Sequence, residues 1–373
     1  MIPVCEPVMN GKEIEYVNDC LRTNWISSSG KYISMFEEAF SSYCGVPYGV
    51  ACSSGTTAIH LALVAMGIGP GDEVIIPDFT LVVSANMVIL AGAKPVLVDV
   101  DARTWCIDPE LIEAAITPRT KAIMAVHMYG HPCDMNAIQQ IAKRRGLYII
   151  EDCAEAHGAE VNSRKVGSLG DAACFSFYGN KILTTGEGGM VVCRDEELAR
   201  RMRLIRNQAF IEPRFVHATM GFNYRLTNMQ AAIGLAQTEM VEEKVERKRW
   251  IGQTYNELLA NQSDLTLPVE ESWAKNVYWM YGVLVRDSFG VTKDNLMMML
   301  RNQGIETRSF FCPMSMQPVY QGSDPRFPDM SVSSPISVEL WKRGLYLPSG
   351  LGLTRPQLVE ITEKLLACKS KRD

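Results

Sequence analysis

The chain has 373 residues, of which 47% are hydrophobic and 21% are charged, and its formal net charge is −5. This length predicts a sizeable core divided between two domains, and the composition is ordinary for a globular protein. Because the chain is slightly acidic, nothing global attracts a nucleic acid or an anionic membrane. We therefore expect neither as a partner, and an anionic ligand needs a local site.

The 11 cysteines are scattered singly, with no CxxC pair and no compact cluster of cysteine and histidine. This distribution favours reduced thiols over a disulfide framework or a zinc site, and no metal is predicted. The N-terminus lacks the basic segment and apolar core of a signal peptide. Polar residues interrupt the longest apolar run, near residues 81–93, so it falls short of a membrane span. We expect a cytoplasmic protein.

The first two thirds of the chain alternates short apolar runs with longer helical patterns. Because these runs are nearly continuous rather than alternating, they predict strands that are buried on both faces of a parallel sheet. Strand and helix repeated in this way indicate a doubly wound α/β domain. The predicted strands are YGVAC (48–52), EVIIP (73–77), PVLVDV (95–100), KAIMAVHMYG (121–130) and LYIIED (147–152).

Two further apolar runs, AACFSFYG (172–179) and GMVVC (189–193), leave little room for a helix between them. They predict an antiparallel pair at one side of the sheet. A helical pattern over residues 228–259 is long enough to link two domains. We place a large α/β domain at residues 1–245.

The remainder, residues 246–373, predicts a smaller α+β domain. YWMYGVLV is its predicted strand, and KDNLMMMLRNQG and PQLVEITEKLLACKSK are its predicted helices. The segment 312–335, which contains Pro, Ser and Asp, predicts a long loop.

Ligands of open parallel sheets bind beyond the carboxyl ends of the strands, so the residues that follow each predicted strand are the candidates for a site. SSGTTA (53–58) follows the first strand and runs into a helix. Small residues, free N–H groups and hydroxyls of this kind form a cradle for a phosphate. An ordinary helix cap has the same composition, and the segment is neither a P-loop nor a dinucleotide turn.

Asp152 and Lys181 also follow predicted strands, with Ser176 shortly before the lysine. A buried carboxylate needs a cation, and a desolvated lysine becomes a nucleophile toward carbonyls. Taken singly, each has an ordinary alternative, as a helix cap or a solvated loop residue. Pyridoxal phosphate needs a lysine, an acid for its ring nitrogen and a phosphate cradle together, so the combination indicates this cofactor.

Several segments resemble the DegT/DnrJ/EryC1/StrS family of nucleotide-sugar aminotransferases, over about residues 3–350. The similar segments are SGTTAIHLAL, GPGDEVIIP, HMYGHPCDM, IIEDCAEAHG, GDAACFSFYGNKILTTGEGGMVV and GFNYRLTNMQAAIGLAQ. The resemblance implies a pyridoxal-phosphate enzyme of fold type I, with a large, mostly parallel α/β domain and a smaller C-terminal α+β domain.

The resemblance also implies a reaction. L-Glutamate gives its amino group to a nucleotide-linked keto sugar and leaves as 2-oxoglutarate, and the pyridoxamine form of the cofactor carries the group between them. WISSSGKYI, HPCDM and the FYGNK…TTGEGG form are most similar to the branch that aminates C4 of GDP-4-keto-6-deoxymannose. Such a product is a precursor of O-antigen or other cell-surface glycans.

The resemblance assigns roles to individual residues. Lys181 matches the Schiff-base lysine, and Asp152 matches the acid at the pyridine nitrogen. Gly55 and Thr56, with Ser176, match the phosphate-binding positions.

Other matches concern the ring, the neighbouring subunit and the substrate. Glu155 lies where the family places a side chain over or beside the ring. Asn223 matches a residue that reaches the phosphate of the neighbouring subunit, which implies at least a homodimer. Residues that match substrate-contacting regions are Trp25, Ser27, Ser28, Lys31 and the segment 308–320. Arg225, Arg308 and Lys31 are candidate cations for the diphosphate of a nucleotide sugar.

Two positions depart from the family pattern. Leu81 stands where many members stack an aromatic side chain on the ring, so the ring is covered by apolar contact alone. The family's common Pro-Leu-His reads Pro313-Met314-Ser315 here. If that histidine positions the sugar, its loss bears on substrate identity.

Three alternatives remain at this stage. In the first, the chain is another nucleotide-sugar aminotransferase, which uses a UDP- or dTDP-linked keto sugar or aminates C3. In the second, the chain is a non-catalytic regulator with the same fold. A nicotinamide-dependent dehydrogenase is disfavoured because no Gly-rich dinucleotide turn follows a strand.

Overall fold

The computed structural model describes residues 1–322 and 327–370. The sixteen strands in this part of the chain are β1 (Tyr48–Cys52), β2 (Glu73–Pro77), β3 (Lys94–Val98), β4 (Thr120–Val126), β5 (Tyr148–Asp152), β6 (Glu160–Val161), β7 (Arg164–Lys165), β8 (Ala172–Ser176), β9 (Gly189–Cys193), β10 (Phe210–Ile211), β11 (Val216–His217), β12 (Leu265–Thr266), β13 (Ala274–Lys275), β14 (Tyr281–Val285), β15 (Arg308–Ser309) and β16 (Gly344–Leu347).

The helices pack around these strands and join them. They are α1 (Glu13–Thr23), α2 (Lys31–Cys44), α3 (Gly55–Ala65), α4 (Val83–Leu90), α5 (Pro109–Ala115), α6 (Met135–Arg145), α7 (Glu196–Arg206), α8 (Asn228–Glu239), α9 (Val241–Leu259), α10 (Lys293–Asn302), α11 (Pro335–Arg343) and α12 (Arg355–Ala367). Within the described ranges, no helix combines the length and apolar character that crossing a bilayer requires.

The central sheet has seven strands in the order β1-β9-β8-β5-β4-β2-β3. All neighbours from β8 to β3 pair in parallel, whereas β9 runs antiparallel to both β1 and β8. The predicted doubly wound α/β architecture is therefore confirmed, as is the antiparallel pairing of the last two strands. Because β1, β5 and β8 run in one direction, their carboxyl ends lie at the same edge of the sheet.

The strand β9 lies between β1 and β8 and keeps the carboxyl ends of these two strands close together. Its first residue, Gly189, pairs with Cys52 on one side and with Ser176 on the other. A Cβ added to Gly189 would lie 2.1 Å from the carbonyl oxygen of Ser54, so only glycine fits at this place. The close approach brings the turn before α3 against the end of β8.

The part of the chain that follows α9, called here the C-terminal part, forms a second, antiparallel sheet in the order β12-β14-β16-β15, with its own hydrophobic cluster. The first residues of the chain join this part, since Ile2 bridges to Ile305 and the N–H of Ser349 donates to the carbonyl oxygen of Val4 at 2.7 Å. The division at residue 245 lies inside α9, which is continuous across it, and it stays a prediction.

The pattern over residues 228–259 is helical as predicted, but it forms two helices, α8 and α9, that meet at Met240. The helices α1 and α2 were not predicted. The predicted final helix, which extends to residue 371, ends at Ala367, and residue 371 lies outside the described residues. The loop predicted at 312–335 contains short 3-10 turns and the start of α11, and its residues 323–326 also lie outside the described part.

Candidate active site

A cavity of about 300 Å³ lies beyond the carboxyl ends of β1, β5 and β8. It is enclosed by the large sheet on one side and by residues of the C-terminal part on the other. The residues singled out in the sequence that line it are Gly55, Thr56, Leu81, Asp152, Glu155, Ser176, Lys181 and Arg308.

The start of α3 forms one end of this cavity. Ser54 is the N-cap of α3: its hydroxyl accepts from the N–H of Thr57, whose own hydroxyl accepts from the N–H of Ser54. The N–H groups of Gly55 and Thr56 are left without a protein acceptor among the described residues. A Cβ added to Gly55 would lie 2.7 Å from the Cβ of Ser176, so these free donors and a second hydroxyl converge. An anion fits this arrangement.

Asp152, at the end of β5, is 7% exposed. Burial raises the pKa of its carboxyl group, although the N–H of Ala154, which donates to Oδ1 at 3.1 Å, and the positive charge of Lys181 act in the opposite direction. A carboxylate in this environment is stabilised by a cation that shares the cavity.

Lys181 lies in the turn that follows β8, and its Nζ is 3.7 Å from the centroid of the Trp279 ring. Burial lowers the pKa of this amine, while the negative charges of Glu155 and Asp152 oppose that shift. A lower pKa increases the fraction of neutral amine, which is the nucleophilic form. The lysine is thus held between an aromatic face and two carboxyl groups.

Glu155 lies on the same wall of the cavity, and its Oε2 accepts from the N–H of Tyr129 at 2.8 Å. Tyr129 has a backbone φ of 50°, which turns its N–H toward the carboxylate. Burial raises the pKa of Glu155 to about 7, against the opposing charge of Lys181. This group therefore changes its charge within the neutral pH range.

The C-terminal part supplies the opposite wall, and most of its contribution was missed in the sequence. Trp279, Phe311 and Tyr346 line the cavity beside Arg308, and the Nε1 of Trp279 donates to the carbonyl oxygen of Asn180 at 2.8 Å. Before the fold is known, Trp279 and Tyr346 are indistinguishable from core residues of a strand. Arg308 and Phe311 did carry a signal, because both lie in the segment 308–320, which resembles a substrate-contacting region.

Leu81 lies at the rim of the cavity, where its side chain is 47% exposed. Asp152 and Ser176 line the same cavity, and the role of Leu81 as a cover for a ring stays a prediction. Ser315, by contrast, is not among the residues that line the cavity. Its side chain is buried and bonded to Asp78.

The remaining predicted residues lie outside this cavity. Ser28 and Arg225 line a second cavity of about 590 Å³. The side chain of Trp25 is 57% exposed, and Lys31 forms an ion pair with Asp19 at 2.8 Å.

Asn223 is likewise exposed to solvent, on the segment that leads to α8. Ser27 contributes its carbonyl oxygen to the N–H of Asn228 at 2.6 Å. Within one chain, these residues do not meet the lysine.

Comparison with known proteins identifies the family. The model of the DegT/DnrJ/EryC1/StrS aminotransferase family matches residues 7–366. The chain belongs to this family. The GDP-perosamine synthase of Caulobacter vibrioides is 47% identical to it, with 98% of this chain and 97% of the relative covered. The GDP-perosamine synthase of Escherichia coli O157:H7 is 43% identical, with 98% and 97% covered.

Solved structures of DegT/DnrJ/EryC1/StrS-like aminotransferases agree with the fold. S. venezuelae DesV, in complex with a ketimine intermediate, superimposes with a TM-score of 0.90 at 35% identity, with 97% of this chain and 95% of that chain covered. The putative sugar aminotransferase Spr1654 from Streptococcus pneumoniae, in its PMP-form, gives a TM-score of 0.92 at 25% identity, with 99% of each chain covered. The chain is therefore a pyridoxal-phosphate-dependent aminotransferase of fold type I.

The cavity of this family member fits pyridoxal phosphate on three observations. The free N–H groups of Gly55 and Thr56 suit the phosphate, and the buried carboxyl of Asp152 suits a protonated ring nitrogen. Among the described residues, Oδ1 of Asn180 is a buried acceptor without a partner, next to Lys181, and it suits a ligand donor. The residues present thus match the donors, acceptors and charges of the cofactor.

The raised pKa of Glu155 predicts a pH-dependent contribution to stability. Between its ordinary pKa of 4.5 and about 7, the folded chain holds a proton that the unfolded chain has released, so the side chain lowers stability increasingly as pH rises. The free energy of unfolding of Glu155→Gln, relative to wild type, should therefore increase across this window and then level off.

Denaturant unfolding at a series of pH values measures this difference, with the same change at the exposed Glu15 as the control. A difference between Glu155→Gln and wild type that stays constant with pH contradicts the shift.

Proposed function

We propose that this chain transfers the amino group of L-glutamate to C4 of GDP-4-keto-6-deoxy-D-mannose, which yields GDP-perosamine, a precursor of O-antigen or other cell-surface glycans. The aminotransferase chemistry rests on one observation, the meeting of Lys181, Asp152 and the free N–H groups of α3 in a single cavity. The choice of sugar is supported by two relatives, at 47% and 43% identity over nearly the whole chain, that are GDP-perosamine synthases.

We assign the cofactor-binding roles as follows. Gly55, Thr56 and Ser176 hold the phosphate, Asp152 holds the proton on the ring nitrogen, and Leu81 covers a face of the ring by apolar contact. Pyridoxal phosphate, when bound, supplies an electron sink for the carbanion that forms at the carbon losing its proton.

Lys181 is the proposed catalytic base and acid. Its Nζ removes the proton from Cα of glutamate in the first half of the reaction and delivers a proton to C4 of the sugar in the second half. The lowered pKa makes the neutral amine available for the first of these transfers. Trp279 limits the positions of the amine because its ring lies 3.7 Å from Nζ.

Glu155 and Arg308 are the proposed neighbours of the substrate. Glu155 is placed to tune the charge of Lys181, since each group affects the pKa of the other. Arg308 is the arginine among the described residues that line the cavity, and its guanidinium is the group proposed to bind an anionic substrate. It thus offers a local positive charge to an anionic substrate in a chain whose net charge is −5.

The working unit proposed here is a homodimer in which Asn223 serves the cavity of the neighbouring chain. Asn223 is exposed, Arg225 is partly exposed, and neither residue lines the cavity of its own chain. Large apolar side chains are exposed on the adjoining segments, including Trp25 at 57%, Phe215 at 71% and Met220 at 78%. Exposed apolar groups in one region are typical of a surface that a second copy covers.

Replacement of the lysine tests the catalytic assignment. Lys181→Ala is expected to lower turnover by a factor on the order of 10³ or more, because both the nucleophile and the proton carrier are lost. The visible absorption of cofactor attached to the lysine is expected to disappear as well. Lys181→Arg keeps the charge and should be equally inactive, while Lys121→Ala, at an exposed position of β4, is the control. Turnover that survives Lys181→Ala rejects the assignment.

Mixed dimers test the role of Asn223. Asn223→Asp places a negative charge against the phosphate and should be nearly inactive, as should Lys181→Ala. When the two variants are mixed and allowed to exchange, half of the dimers carry one complete site, so about a quarter of wild-type activity should return. Mixing Lys181→Ala with Asp152→Asn should restore none, because both lie in the same chain's cavity. Equal behaviour of the two mixtures contradicts a shared site.

A panel of keto sugars tests the substrate. GDP-, UDP- and dTDP-linked 4-keto-6-deoxyhexoses are each supplied with L-glutamate, and 2-oxoglutarate and amino sugar are measured. We expect the GDP-linked sugar to be used at least about tenfold more efficiently, which corresponds to ~1.4 kcal/mol of transition-state binding, and nuclear magnetic resonance to place the amine at C4. Preference for another nucleotide, or amination at C3, supports the other sugar aminotransferases. A colourless protein that aminates none of them supports a regulator.

A further inference from the structure

Asp78 lies directly after β2 and is fully buried. Its carboxylate accepts two hydrogen bonds from Ser315, one from the N–H to Oδ1 and one from the hydroxyl to Oδ2, both at 2.7 Å. Its carbonyl oxygen also accepts from the N–H of Met314 at 2.9 Å. Asp78 therefore holds Met314 and Ser315, two consecutive residues of the C-terminal part, in place.

Both partners are connected to the cavity wall. Thr80 and Leu81, which follow Asp78, line the cavity, and so does Phe311, which precedes Ser315. The ring of Phe79 lies 6.4 Å from that of Phe311, centroid to centroid. The hydrogen bonds of Asp78 thus join two segments that face the ligand from different parts of the chain.

The bond between the two residues is strong because the acceptor is charged and shielded from water. Burial raises the pKa of Asp78, and hydrogen bonds from Ser315 and the Ser334 hydroxyl oppose this shift. Loss of the Ser315 hydroxyl leaves the carboxylate its hydrogen bond from the N–H of Ser315. The fold should therefore tolerate that change, while the segment of Thr80 and Leu81 and the segment of Phe311 are held together less tightly.

We propose that Ser315, acting through Asp78, is a positioning residue for the nucleotide sugar: it sets the distance between the Leu81 segment and the segment of Arg308 and Phe311. This inference rests on the proposed function, because the wall it adjusts is the one assigned to the substrate. In the sequence, Ser315 stands out only as the absence of the family's histidine. The structure gives the serine a partner of its own.

A second pair provides a matched control. Asp99, just beyond β3, is bonded to Ser337 in the same manner, with the N–H of Ser337 at 2.9 Å and its hydroxyl at 2.6 Å from Oδ1. Ser337 is also buried, but it lies in α11, and no residue of α11 lines the cavity. The two serines therefore share their chemistry and differ in what they position.

The test compares Ser315→Ala with Ser337→Ala in the cofactor-loaded enzyme. Binding of GDP-mannose, which has no keto group to be aminated, is measured by calorimetry, and KM and kcat are measured with the keto sugar. Ser315→Ala should weaken GDP-mannose binding and raise KM about tenfold, because the ligand must then order two segments that the Ser315 hydroxyl holds in place in wild type, with kcat nearly unchanged. Ser337→Ala should leave all three values near wild type, and Ser315→Thr, which keeps the hydroxyl, should restore binding.

A double variant checks that Ser315 acts through Asp78. If it does, Asp78→Asn combined with Ser315→Ala should weaken binding no more than the stronger single change. Equal effects of Ser315→Ala and Ser337→Ala, or additive effects in the double variant, overturn the proposal. Failure of the proposed function is seen separately: wild type then binds UDP-glucose or dTDP-glucose instead of GDP-mannose, and the serine comparison is made with that sugar nucleotide.

Discussion

A buried carboxylate at the end of a central strand is the constraint on which this structure depends. Asp152 is shielded from water by its neighbours, so its charge must be balanced within the protein or by a ligand. The sheet meets this need by ending β8 nearby and turning the chain so that Lys181 enters the same space. Aromatic residues of the C-terminal part form the opposite wall of this space, and apolar walls strengthen the charge interactions beside them.

The main features of the fold could be predicted because they follow from local patterns. Continuous apolar runs identified the central strands, and the helical pattern over residues 228–259 identified the segment that forms α8 and α9. The helices α1 and α2, which precede the first strand, were not predicted. Their amphipathic pattern, including Phe36 and Phe40 on one face, was available in the sequence.

The site could be predicted in part, for a reason that lies in the topology. Asp152, Lys181 and Gly55 follow strands, and strands that run in one direction must end at one edge. The contribution of Trp279 and Tyr346 could not be predicted, because it depends on how a separate sheet packs against that edge. The bond between Ser315 and Asp78 was equally hidden, since it joins residues far apart in sequence that carry no shared pattern.

The tight fit of Gly189 against Ser54 has a consequence for how such a protein diversifies. A side chain at Gly189 would collide with the backbone of Ser54, and one at Gly55 would collide with the side chain of Ser176, so neither glycine at the end of the cavity nearest α3 accepts a larger residue without a shift of its surroundings. Leu81, at the half-exposed rim, meets no such obstacle. Substitutions at the mouth of the cavity therefore meet less steric resistance than those at its inner end, so side chains there can change without disturbing the turn before α3.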